Sequence, residues 1–154
     1  MSRWSGLMVS AVSGAVMSLG VAVAGEDVVF SSASLSGSYV YSNSTDGVAS
    51  FGIIDFDGKG GVTLDIRINA RQSEGQRATT EAQGSGIFSV NGEGIGSAEI
   101  AMTNGPTPRL DYDFVIVAAD DGVAEEVLAV LRSGGVNGQL VQPSWKRRTN
   151  AAME

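Results

Sequence analysis

The residues that could carry chemistry in this chain are mainly carboxylates. It has 17 aspartate and glutamate residues, no histidine and no cysteine. The absence of histidine removes the commonest general base and the commonest transition-metal ligand, so a Ser-His-Asp triad is excluded. The absence of cysteine removes thiol nucleophiles, thiolate metal sites and disulfides. The composition therefore favours a protein that is not an enzyme and carries no cofactor.

Asp55 and Asp57 form the pair that most resembles a metal loop. They stand in the run Asp55-Phe56-Asp57-Gly58-Lys59-Gly60. A calcium loop of the EF-hand kind places oxygen ligands at its first, third and fifth positions and glycine at its sixth. Here Lys59 occupies the fifth position and Gly58 the fourth, whereas Asp-Gly is typical of a hairpin turn. We therefore predict a turn and no metal site.

Asp111 and Asp113 are candidates for acid–base chemistry. They lie two residues apart, so on a strand both carboxylates share one face. A desolvated pair could act as acid and base. A solvated outer face opposite Tyr112 and Phe114 is the favoured interpretation.

Glu99 has two alternative orientations on its predicted strand. If it points inward, it is a buried acid with a raised pKa and the best candidate for a catalytic group. If Ala98, Ile100 and Met102 point inward instead, Glu99 is solvated. The second register buries more apolar area, so we favour it.

The charge balance limits the partners. The net charge is −7, and an acidic surface repels phosphate backbones, so we expect no nucleic-acid partner. Residues 146–148, Lys-Arg-Arg, are the one basic cluster. They either meet an anionic surface or give the last strand a charged end that discourages edge pairing.

Residues 1–24 have the layout of a secretory signal peptide. Arg3 gives a short basic start, residues 7–21 are apolar and rich in small side chains, and residues 22–24, Ala-Val-Ala, form a cleavage signature. The alternative is an uncleaved anchor, but residues 7–24 are near the lower length limit for spanning a bilayer and lack a basic flank. We predict cleavage and export to the periplasm or the extracellular space, with no stable membrane span afterwards.

The rest of the chain predicts an all-β domain. In residues 61–70, Val62, Leu64, Ile66 and Ile68 alternate with polar side chains, which is the period of a strand with one dry face. An N-terminal arm at 25–34 precedes strands predicted at 35–42, 48–56, 61–70, 79–90, 95–102, 110–118, 123–132 and 136–147. Short connections favour a single antiparallel up-and-down barrel of about eight strands, with a sandwich as the rival. The barrel domain is predicted at 35–148, followed by a disordered tail at 149–154.

Several segments carry more specific expectations. Residues 43–47 are predicted as a turn, and Gly84 and Gly86 predict a bulge or a sharp bend. Residues 123–132 have helix formers at helical spacing but can equally alternate as a strand, which the flanking reversals favour. Val115 and Val117 make both faces of their strand apolar, which predicts cover by the N-terminal arm or by a partner.

The barrel interior is the predicted ligand site. Leu64, Ile66, Tyr112 and Phe114 are expected to line it, with Phe51 and Ile53 added if their strand has that register. An eight-stranded barrel either fills itself or holds one small ligand. We therefore expect a small apolar ligand; the oligomeric state is left open.

A pattern of turns and glycines gives a family resemblance over residues 35–148. It consists of Gly37-Ser38-Tyr39, residues 52–60, residues 84–94, residues 110–117 and Gly138 before Lys146-Arg147. This pattern resembles small exported bacterial β-barrel domains of unassigned function, similar in shape to calycins and to allene-oxide-cyclase-like barrels. The resemblance implies a barrel. It also implies, as an alternative to binding, a cyclase or isomerase acting on a lipid-derived substrate; a third hypothesis is a non-catalytic structural or interaction module at the cell surface.

Overall fold

The structure is a computed structural model that describes residues 28–45, 47–72, 75–133 and 142–149. The predicted leader, residues 136–141 of the last predicted strand and the predicted tail beyond Thr149 lie outside the described residues. Among the residues that are described, no helix is long and apolar enough to cross a membrane.

Eight strands form the described part of the domain, after a short 3-10 helix at Ser32–Ser34. They are β1 (Ser36–Thr45), β2 (Val48–Asp57), β3 (Gly61–Arg71), β4 (Arg77–Val90), β5 (Ile95–Met102), β6 (Arg109–Asp120), β7 (Val123–Ser133) and β8 (Ser144–Arg147). Each strand is antiparallel to the next, and β8 also pairs with β1, which closes the barrel. The predicted up-and-down barrel is confirmed and the sandwich is wrong. Residues 39–42 of β1 and residues 126–128 of β7 are paired with β8, so these stretches present no free sheet edge for aggregation.

The turn between β2 and β3 is built around Asp57. Its carboxylate accepts hydrogen bonds from the backbone N–H groups of Lys59 at 2.7 Å and Gly61 at 2.8 Å. These bonds lower the pKa of Asp57. Gly58 and Gly60 have φ of 72° and 112°, a region that residues with a Cβ rarely adopt. The carboxylate therefore serves the turn, and among the described residues no cluster of three acidic groups could hold a metal ion.

Residues 123–132 belong to a strand, so the helix alternative is wrong. Asp121 and Gly122 have φ of 47° and 74°, as a tight two-residue hairpin requires. The chain therefore returns at once to pair with β6. The β6–β7 register is irregular near the hairpin. As a result Ala124 is fully buried, whereas the alternation of the strand placed Val123 on the buried face.

Phe51 and Ile53 face outward, so their expected place in the interior is wrong. Phe51 is 58% exposed, whereas Ile54 and Phe56 are buried. The register gives the reason: Phe56 lies directly opposite Val62, and cross-strand partners share a face. The odd-numbered positions of β2, which include Phe51 and Ile53, therefore face outward.

The N-terminal arm covers one end of the barrel. Ser34 is buried, and Phe30 packs against the core and donates its backbone N–H to the Gly92 carbonyl at 3.1 Å. Val115 and Val117 remain 38% and 48% exposed. The described part of the arm is therefore not the cover expected for these two valines.

Candidate ligand site inside the barrel

The four residues predicted to line a ligand site all lie in the interior. Leu64 and Ile66 on β3 are 3% and 2% exposed, and Tyr112 and Phe114 on β6 are 1% and 4% exposed. The two strands are not neighbours, so these side chains enter from different parts of the wall. Their contact with a ligand stays a prediction.

Trp145 is central to the aromatic packing of the interior. It is fully buried, and its ring centroid lies 5.5 Å from that of Phe56, 5.7 Å from that of Tyr112 and 5.4 Å from that of Phe114. Phe56 in turn makes an edge-on contact with Phe88 at 4.9 Å. Tilted and edge-on aromatic pairs contribute stability beyond the area they bury. One part of the interior is thus apolar and densely packed.

The interior becomes polar toward the end that carries the β1–β2 turn. The hydroxyl oxygens of Tyr41 and Tyr112 are 3.3 Å apart, and Ser50 hydrogen-bonds to Tyr41. Asn43 occupies the next inward position on β1, directly opposite Ser50 on β2, and both are buried. We call Tyr41, Asn43, Ser50 and Tyr112 the interior polar layer.

Asn43 has a buried side chain without a hydrogen-bond partner. Its Nδ2 and Oδ1 atoms are both unpaired, as is Nε1 of Trp145. Buried polar groups are nearly always paired, because desolvating an unpaired one costs about 1–3 kcal/mol. Asn43 leaves two buried atoms unpaired, whereas Trp145 leaves one. The Asn43 amide is therefore the group that most needs a partner.

The polar layer is uncharged. Burial is the main cause that raises the pKa of Tyr41 and of Tyr112, the latter further. Burial also raises the pKa of Tyr39, the remaining tyrosine of the chain, to about 12, and its hydroxyl donates to the Ala124 carbonyl at 2.8 Å. All three tyrosines keep their protons at physiological pH.

Ionisation of the tyrosines is expected to be coupled to alkaline unfolding. An exposed tyrosine loses its proton near pH 10, so above that pH the unfolded chain releases protons that the folded barrel keeps. The tyrosines therefore leave stability unchanged below about pH 10, and above that pH each buried tyrosine lowers it by about 1.4 kcal/mol per pH unit. For Tyr39 this fall continues to about pH 12.

Near-ultraviolet absorbance of tyrosinate measures this coupling. In the folded protein it should rise in one cooperative step that coincides with the loss of far-ultraviolet circular dichroism. The urea-unfolded chain is the control and should titrate near pH 10. Independent titration near pH 10 with the fold intact would contradict the burial of the tyrosines.

Glu99 faces solvent, so the favoured register of β5 is confirmed. Ala98 and Ile100 are fully buried, while the Glu99 side chain is 46% exposed and pairs with Arg109 at 2.9 Å between Oε2 and Nη2. The Glu99 carboxylate therefore lies on the outer wall in an ion pair and does not enter the interior. Glu99 is therefore not the buried acid on which the cyclase or isomerase hypothesis depends.

Asp111 and Asp113 share the outer face of β6. Asp113 is 57% exposed and lies 3.5 Å from Nη1 of Arg132. Asp111 is only 11% exposed and is bonded to Arg109 and to the Ser133 hydroxyl. Burial by itself raises the pKa of Asp111, but the Ser133 and Arg109 bonds outweigh this and hold the pKa below its usual range. Asp111 is therefore an ionised member of a surface network.

The basic cluster at the end of the chain is engaged with β7. Lys146 lies 3.6 Å from Glu126, and Arg147 lies 3.2 Å from Glu125. Both pairs join β8 to its neighbour beside the closure of the barrel. They favour the interpretation of a charged strand end, although exposed pairs contribute at most about 1 kcal/mol each.

The sequence prediction missed Asn43, Ser50 and Trp145. Residues 43–47 were predicted as a turn, whereas β1 continues to Thr45 and places Asn43 inward. A usable signal exists, because Tyr39, Tyr41 and Asn43 lie at alternate positions of one strand. Because Asn43 is polar, a pattern of apolar residues does not predict that its side chain faces the interior.

The fold and this site define an eight-stranded antiparallel β-barrel with an enclosed, mainly apolar interior and one uncharged polar layer. No family model, no curated protein and no solved structure matches the chain. The barrel implied by the family resemblance is confirmed. The calycin-like or allene-oxide-cyclase-like relationship stays a prediction.

Proposed function

We propose that the protein is exported and binds a small, mainly apolar ligand inside its barrel. The observation that carries the proposal is the unpaired Asn43 amide, enclosed in the polar layer at one end of an interior that is apolar elsewhere. Ligand sites typically combine an apolar lining with a few placed polar groups. The interior of this barrel has that composition.

The energetics of Asn43 support a bound molecule. An enclosed amide without partners lowers the stability of the free barrel by about 1–3 kcal/mol, and an apolar side chain of similar shape would remove that cost. A molecule that completes the hydrogen bonds of the amide recovers it. Entry is expected at the polar end, because the N-terminal arm covers the other.

Binding is favoured over cyclase or isomerase activity. Among the described residues, the buried polar and charged side chains are Ser34, Asn43, Ser50 and Asp111. Asp111 belongs to the network with Arg109 on the outer wall. The described interior therefore offers hydroxyls and an amide but no carboxylate that could transfer a proton to a substrate.

Native mass spectrometry of protein purified from its host tests the proposal. We expect an adduct of lipid-like mass that dissociates on collisional activation. We also expect the stripped protein to bind the apolar dye N-phenylnaphthylamine with saturation. Protein that carries no adduct and gives no saturable dye binding would overturn the proposal.

Phe51→Ser is the matched control for dye binding. Phe51 is 58% exposed on the outer wall, so its removal takes away an apolar surface without touching the interior. Dye affinity should be unchanged in this variant. A loss of dye binding on Phe51→Ser would locate the dye on the surface and contradict an interior site.

A second candidate function is an interaction module that associates with a second copy of the chain. Ile95, Val115 and Leu128 are cross-strand neighbours on β5, β6 and β7, and Val117 and Val130 extend the row. All five side chains are between 38% and 51% exposed. We call these five residues the outer apolar strip. A contiguous exposed apolar patch marks an interaction surface more often than scattered residues do.

Charge favours a second copy as the occupant. The strip is flanked by two ion pairs, Lys146 with Glu126 and Arg132 with Asp113. The charges of these two pairs cancel, whereas the chain as a whole has a net charge of −7. Two acidic copies would meet there with little repulsion.

Leu128→Asp is expected to abolish self-association. It places a charge within the strip, next to Val115, and burying an unpaired charge between two copies is unfavourable. Sedimentation velocity over a concentration series should show a dimer for the wild type and a monomer for the variant. Ile87→Asp, at a 65% exposed position outside the strip, is the control and should still dimerise. A wild type that stays monomeric throughout would exclude this candidate.

A further inference from the structure

Resting on the proposed function, we infer that the ligand has an uncharged polar head, such as a primary amide or an alcohol, held by the interior polar layer. The head would pair with the Asn43 amide, and the apolar remainder would lie on the side of Leu64 and Ile66. The inference concerns the chemical class of the ligand, which an apolar interior alone leaves open.

The hydrogen-bonding groups of the layer match such a head. The Asn43 side chain offers two N–H donors and one carbonyl acceptor, and none of them is used within the protein. Beside it, the hydroxyls of Tyr41, Tyr112 and Ser50 are already engaged with one another. A primary amide can donate to Oδ1 and accept from Nδ2 at the same time. An alcohol can make either bond.

The charges around the layer exclude an ionised head. Among the described residues no lysine or arginine is buried. Arg147 is at the opposite end of β8, next to Tyr39 in register and paired with Glu125, while Arg109 and Arg132 belong to the outer wall. A carboxylate head would lose its hydration without gaining a cation, which is far more costly than burying a paired neutral group.

An ammonium head is excluded as well, because the layer offers it no free carboxylate. The one buried carboxylate among the described residues, Asp111, is bonded to Arg109 and Ser133 on the outer face. The tyrosines of the layer stay protonated at physiological pH, because burial raises their pKa. The layer therefore carries no negative charge that could hold a cation.

Asn43→Leu separates the role of the amide from the stability of the barrel. Leucine keeps a similar volume and removes both unpaired groups, so the free variant should be at least as stable as the wild type. Ser42→Ala on the outer face of β1 is the matched control at the neighbouring position, where the hydroxyl only meets that of Ser144.

Fluorescence of Trp145 measures the binding of three compounds that share one alkyl chain: decanamide, decanol and decanoate. Trp145 lies directly opposite Tyr41 in register and is the one tryptophan outside the predicted leader. We expect decanamide and decanol to bind the wild type at least about ten-fold more tightly than decanoate at neutral pH. Asn43→Leu should weaken decanamide binding by about ten-fold, as the loss of one or two neutral hydrogen bonds predicts.

The outcomes distinguish this inference from the proposed function. If all three compounds bind equally well, or if Asn43→Leu binds decanamide as the wild type does, the inference is overturned while the interior site stands. Asn43→Leu that is less stable than the wild type and keeps its decanamide affinity would show that ordered water satisfies the amide. If none of the three compounds binds and no dye binds, the proposed function itself fails.

Discussion

Replacement of Trp145 by alanine is expected to lower the free energy of unfolding by about 3–5 kcal/mol, as the removal of a fully buried large aromatic side chain does elsewhere. The indole ring contacts Phe56, Tyr112 and Phe114, which lie on two other strands. Its loss leaves a cavity that these rings can fill only in part. The effect is a large fraction of the total stability of a domain of this size.

The position of Trp145 adds to the expected effect. It lies on β8, which has only four residues and closes the barrel by pairing with β1 on one side and β7 on the other. A strand this short contributes few hydrogen bonds, so its attachment depends on the side chain that it buries. Weakening that attachment exposes two sheet edges, on β1 and β7.

Urea unfolding followed by far-ultraviolet circular dichroism measures the loss. Trp145→Phe keeps an aromatic ring and should cost much less than alanine. Phe51→Ala is the control for an exposed aromatic residue and should change stability by no more than about 0.5 kcal/mol. A loss below about 1 kcal/mol for Trp145→Ala would show that β8 is held by its backbone alone.

Strand positions followed from local pattern wherever one face is apolar and the other polar. The alternation around Leu64 and the Asp57-Gly58 turn fixed β2, β3 and their connection in the sequence prediction, and the structure confirms them. Residues 123–132 were harder, because their helical propensity competes with a turn that forces immediate pairing. These residues form a strand because the turn brings them alongside β6, with which they pair. This pairing is a tertiary interaction, and helix propensity, which is a property of single residues, does not include it.

The candidate site was only partly accessible to sequence reasoning. Leu64, Ile66, Tyr112 and Phe114 are apolar or aromatic residues on strands with a clear period, so their inward direction was predictable. Asn43 is a polar residue close to Gly47, and such residues usually mark turns. Its burial depends on how far β1 extends, which the pairing of Asn43 with Ser50 on another strand decides.

The glycines of β4 show where pattern and geometry diverge. Gly84 and Gly86 were predicted to mark a bulge or a sharp bend. The register of β4 with both neighbours is continuous through them, so the bulge is wrong. Their role is close approach: a Cβ on Gly84 would lie 2.6 Å from the Ala101 carbonyl oxygen.

Gly86→Ala is expected to have the second large effect, a loss of about 3 kcal/mol, at the upper end of what overpacking costs. A Cβ on Gly86 would lie 1.8 Å from the carbonyl oxygen of Glu99 and 2.8 Å from the Cα of Ile100. Both atoms belong to the backbone of β5, which is paired with Gly86 in register. A side chain could rotate away from the new methyl group, but a paired strand must move as a whole. The separation of β4 and β5 would then disturb the buried residues on either side.

Gly92→Ala is the matched control for this prediction, because it tests the same chemical change where space is available. Gly92 lies in the β4–β5 turn without a positive φ, and a Cβ there would meet only Val29 Cγ1 at 3.5 Å. Alanine at Gly92 should leave stability unchanged or raise it by up to about 1 kcal/mol, because it restricts the unfolded chain. Comparison of the two urea midpoints therefore separates the entropy of glycine from the contact between strands. Equal stability of the two variants would show that β4 and β5 do not approach closely. The barrel wall beside Ala98 and Ile100 would then have space for an additional methyl group.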